Sequence, residues 1–82
     1  MKATELLQAQ RERNRERWGH YTRTPAEHLL ILVEEVGEVA RAMQDGKHGY
    51  QWPPDYNGIA LQELIDVGAV VLAMMEECEA AL

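Results

Sequence analysis

The sequence predicts an all-α fold: a small helical bundle with an antiparallel central helix pair, completed by oligomerisation. Three observations predict it. Apolar residues recur at helical spacing from Leu29 to Met43 and again from Leu61 to Met75. The segment Thr24-Pro25-Ala26-Glu27, ahead of the first stripe, carries a helix-starting signature. The second stripe has no charged residue from Val67 to Met75 and is apolar around more than one face. One partner helix cannot surround such a rod. A chain of 82 residues buries only part of its surface. With Cys78 as its single cysteine it has no intrachain disulfide. Additional burial therefore falls to partner subunits, and one domain accounts for the length.

The first helix is expected from about Thr4 to Arg17. Thr4 serves as its cap, Glu5 sits favourably in the first turn, and Leu6 to Arg13 is rich in helix formers. Apolar content is thin after Ala9, so this helix packs by one end. Trp18 to Arg23 is a connection containing Gly19. The second helix has Thr24 as cap, Pro25 where proline costs least, and Glu27 closing a capping box. It runs to Met43 or Gln44 and stops near Gly46. Leu29, Leu32, Val33, Val36, Val39, Ala40 and Met43 form its stripe.

Lys47 to Tyr56 reads as a loop, because Gly49, Pro53 and Pro54 resist helix. Its aromatics, Tyr50, Trp52 and Tyr56, suggest more than a tether. Asn57 is the expected cap of a third helix from about Ile59 to Glu79. Glu76, Glu77 and Glu79 lie at the negative end of its dipole, which favours fraying there.

Formal net charge is −6, unevenly spread. Residues 1–23 hold six basic and three acidic residues, and residues 24–82 hold two basic and eleven acidic ones. An acidic body does not suit a nucleic-acid polymer, whereas it does suit cations. The longest apolar run is about half of what a membrane span needs. Met1–Trp18 lacks the apolar core of a signal peptide. A soluble, cytoplasmic protein with no membrane partner is expected.

The acids are patterned. Glu35 and Glu38 are three apart on the second helix, and Glu63 and Asp66 are three apart on the third. Residues three apart share a helix face. Antiparallel packing brings the two pairs to one point. All four are flanked by apolar residues, so they repel one another and lose hydration. At least one should have a raised pKa in the absence of metal. A hard divalent cation resolves the conflict. Oxygen-only donors favour Mg²⁺, with Mn²⁺ as a substitute. Glu34 is turned from Glu35 and reads as outer or solvated. The bland alternative is a solvated acidic face, against which stand two pairs on two core helices. Gly37 and Gly68 are costly inside helices. Gly68 reads as a tight helix contact, and Gly37 equally as that or as room for a ligand.

The segments Glu34–Ala42 (E-E-V-G-E-V-A-R-A) and Glu63–Gly68 (E-L-I-D-V-G) resemble the MazG-like all-alpha nucleoside triphosphate pyrophosphohydrolases. That family's pattern is E-x-x-E, a spacer, then E-x-x-D. Here twenty-four residues separate the pairs, and the resemblance covers roughly residues 25–75. It implies a helical bundle assembled as a dimer or tetramer, Mg²⁺ held by Glu35, Glu38, Glu63 and Asp66, and a nucleoside triphosphate substrate. The implied reaction is hydrolysis between the α and β phosphates, giving nucleoside monophosphate and pyrophosphate. The chain departs from some members in lacking a basic extension after the third helix.

In such a reaction a carboxylate-oriented water attacks the α-phosphate. Glu38, central in the acidic patch, is the first choice of base, with Glu35 beside it. Arg23 and Lys47 are the leading phosphate-binding cations. Arg11, Arg13, Arg15 and Arg17 are further sources in the same or a neighbouring subunit, and Arg41 could instead pair with an acid. Trp18 and Trp52 lead among aromatics able to stack on a base. For each of these taken alone, surface charge or ordinary packing is the simpler role. His20, His28 and His48 have no metal-ligand spacing, and His28 reads as a packing or interface residue. Cys78 is assigned no chemistry. The rival reading is a non-catalytic helical protein–protein interaction module or regulatory subunit. A carboxylate-bridged iron or manganese protein is disfavoured because no Glu-x-x-His segment occurs.

Overall fold

The computed structural model describes residues 2–19, 23–44 and 58–82, and among these every regular element is a helix. They are α1 (Ala3–Trp18), α2 (Pro25–Gln44) and α3 (Gly58–Ala80). The expected loop over Lys47–Tyr56 and the cap at Asn57 lie outside the described residues.

Helix α1 starts earlier than its threonine suggested. Lys2 takes the capping position in extended conformation without a side-chain bond, and its carbonyl accepts from the Glu5 and Leu6 N–H groups at 3.0 and 3.1 Å. Thr4 therefore sits inside the first turn, and the strong helix former Ala3 begins the helix. The α2 start follows expectation. The Thr24 N–H donates to Glu27 Oε1 at 3.0 Å, and the Glu27 N–H donates back to Thr24 Oγ1 at 3.2 Å. The bond from the Thr24 backbone holds the Glu27 carboxyl below its usual range.

Helix α3 is the hub. Both α1 and α2 pack on it, and they do not pack on each other. Helix α2 is antiparallel to α3. His28, near the start of α2, meets Glu77 near the end of α3, while Glu35 further along meets Glu63 and Asp66. Helix α1 lies across α3. Adjacent residues Gln10 and Arg11 reach Gln62 and Glu76 respectively. Those two are separated by about 21 Å of helix at 1.5 Å per residue. The crossing is close: a methyl added at Gly68 would lie 2.6 Å from Leu7 Cδ1. Gly68 thus has the packing role its place in the sequence suggested, whereas nothing lies near an added methyl at Gly37.

Helix α3 extends to Ala80, and two of its terminal acids are met from other elements. Arg11 Nε donates to Glu76 Oε1 at 2.7 Å, and Arg15 donates to Glu76 Oε2 at 2.8 Å. His28 Nδ1 lies 3.1 Å from Glu77 Oε2. The same contacts engage the polar half of α1, which composition alone left in solvent.

Burial is shallow. Among the described residues Ala69 is the one fully buried apolar side chain. The α2 stripe divides: Leu32, Val39, Ala40 and Met43 are half-buried, while Leu29, Val33 and Val36 are exposed. Leu30 on α2 and Leu61, Leu64, Val71 and Met75 on α3 are exposed as well. No described helix is long and apolar enough to cross a membrane.

Candidate metal centre

The antiparallel packing of α2 on α3 brings three carboxylates together. Each of Glu35, Glu63 and Asp66 offers an oxygen, and these oxygens lie within 4.8 Å of one another. All three side chains are half-buried. The i, i+3 spacing of Glu63 and Asp66 puts them on one face of α3, opposite Glu35. Gln62, one turn before Asp66, donates from Nε2 to Asp66 Oδ1 at 2.9 Å. The same amide lies 3.4 Å from Gln10 Oε1, which ties α1 to the cluster. Gln62 carried no functional reading in the sequence, although its i, i+4 relation to Asp66 was visible there.

The electrostatics follow from crowding. Burial pushes the Glu35 carboxyl above its ordinary range, and the charges of Asp66, Glu63, Glu38 and Glu34 push it further. Burial also raises Glu63, assisted by Asp66 and Glu38. Glu38 is exposed and stands outside the trio, yet it is near enough to act on two of its members. Glu34 is exposed and acts on Glu35 in the same way.

The donor set fits a hard divalent ion. Glu35, Glu63 and Asp66, with oxygens within 4.8 Å of one another, are the residues that would hold it. Carboxylate oxygens alone, without thiolate or imidazole, suit Mg²⁺ or Mn²⁺.

Beside the acidic centre is a cleft of about 690 Å³. Glu35 and Asp66 line it together with Arg11, Arg15 and Arg23. His28 and Trp18 also line it. Trp18 is partly exposed, and the Arg17 guanidinium carbon lies 5.3 Å from its ring centre. Lys47 and Trp52 lie outside the described residues. Cys78 is exposed and away from this cleft, on a separate apolar groove with Leu32, Met74 and Met75. The cleft thus carries both cationic and anionic side chains.

Comparison of the chain with protein-family models, with curated proteins and with solved structures finds no match.

Proposed function

We propose that this protein hydrolyses a nucleoside triphosphate to nucleoside monophosphate and pyrophosphate with Mg²⁺, in the manner of the MazG-like family its motifs resemble. The observation that carries the reading is the convergence of Glu35, Glu63 and Asp66 oxygens within 4.8 Å, beside a cleft with arginines on its wall. Glu35, Glu63 and Asp66 would hold the ion, with Glu38 at its edge, and the ion would supply positive charge against phosphate oxygens.

The chain's own residues do the rest. Glu38 orients a water and takes its proton, being exposed and outside the trio. The water oxygen attacks the α-phosphorus, the bond to the bridging oxygen breaks, and pyrophosphate leaves. Gln62 fixes the Asp66 carboxylate. Arg23 draws the phosphates into the cleft, and Trp18 offers a face to the base. The exposed apolar faces of α2 and α3 support self-association as a dimer or tetramer.

The test is a panel of the eight common ribo- and deoxyribonucleoside triphosphates, read for pyrophosphate and monophosphate with metal varied. Hydrolysis of at least one, abolished by chelator, is expected. Intact substrates throughout would remove the enzymatic reading. The same exposed apolar faces favour a second reading, a non-catalytic interaction module. That reading expects thermal stability independent of Mg²⁺.

A further inference from the structure

Arg11 lines the cleft with a side chain only 20% exposed. A guanidinium has five N–H donors. One of them, on Nε, goes to Glu76 at 2.7 Å. No acceptor among the described residues meets the four on its two terminal nitrogens. A largely enclosed charge with most of its donors open calls for anionic oxygens or ordered water. Glu76 holds Arg11 at Nε and takes Arg15 on its other oxygen at 2.8 Å. Those two bonds hold the Glu76 carboxyl below its ordinary range, so it stays charged as a brace. Arg15 is more exposed and also pairs with Glu12 at 2.9 Å, which makes it the secondary cation.

We propose that Arg11 is a phosphate-binding residue and that Glu76 is its positioning residue, leaving the guanidinium fork free for bidentate contact with a condensed phosphate. The proposal rests on the metal reading above. A ligand that occupies the cleft from the acidic centre to the arginine wall must chelate a cation and still present anionic oxygens. A condensed phosphate chain does both. A lone carboxylate or a neutral sugar does not.

The probe is inorganic tripolyphosphate, titrated calorimetrically into the protein with Mn²⁺ present. Mn²⁺ occupancy is followed separately by its paramagnetic resonance signal. Arg11→Lys keeps the charge and loses the fork, so affinity should fall about ten-fold with Mn²⁺ binding unchanged. Glu76→Gln should weaken tripolyphosphate several-fold, and with a hydrolysable triphosphate should raise KM while kcat holds. A purely structural Arg11–Glu76 pair would lower Tm in both variants and leave the affinity of the folded protein unchanged. That outcome overturns the phosphate role and leaves the metal site standing. Absence of Mn²⁺ binding in the unaltered protein overturns both.

Discussion

Helix α3 carries carboxylates in two neighbourhoods with opposite fates. Near its C-terminal end, Glu76 and Glu77 are answered within the chain by Arg11, Arg15 and His28. Nearer its start, Glu63 and Asp66 face Glu35 and meet no cation among the described residues. The Glu76 carboxyl is accordingly held down, and Glu35 and Glu63 are pushed up. The first acidic group is paired across helices, and the second is a crowded trio that could chelate a divalent cation. Their partners in the fold, more than their residue types, separate the two groups.

The comparison breaks most visibly in activity. Glu35→Gln or Asp66→Asn should lower pyrophosphate release at least about a hundred-fold, the scale of losing one charge-stabilising group. Glu79→Gln, an exposed acid outside the cleft, should leave it unchanged. Equal rates in all three would place the chemistry elsewhere.

A smaller effect is expected in stability. Mg²⁺ at about a hundred times its dissociation constant should add about 2.7 kcal/mol. Asp66→Asn should remove most of that gain. A melt in which the variant responds to Mg²⁺ as the unaltered protein does would show that the ion binds at another place.

The smallest effect is in pH dependence, where the two neighbourhoods have opposite signs. Glu35 and Glu63 bind protons more tightly in the folded chain than at the ordinary value of 4.5. Ion-free protein should therefore gain stability as pH falls from neutral through their raised values towards 4.5. Glu76 binds its proton less tightly when folded, so its contribution is present above 4.5 and is lost as pH falls below. Glu35→Gln should flatten the upper limb of the stability profile, and Glu76→Gln the lower one. Denaturant midpoints measured across the range check both.

Much of this was legible from local pattern. Capping boxes and helical stripes act within a few residues, so the α2 start at Thr24 and the extent of all three helices could be read directly. The convergence of Glu35 with Glu63 and Asp66 needed one further step, the antiparallel return of α3 on α2. The salt bridges to Glu76 were not legible. Arg11 and Glu76 are 65 positions apart, and no periodicity relates a residue of one helix to its crossing point on another. The terminal acids of α3 therefore looked unfavourable, and α1 looked loosely held. Glu38 was placed centrally by its position in the sequence, yet helix geometry turns it to the edge of the trio.

The bare α-carbon at Gly68 has a reach beyond its own helix. It gives the end of the Leu7 side chain room against α3, and one helical turn along from Leu7 comes Arg11, which lines the cleft together with Glu35 and Asp66. A methyl at that position would meet the tip of Leu7, a flexible side chain that can turn aside, so the arginines and the acids are tied to one crossing by a contact that can adjust.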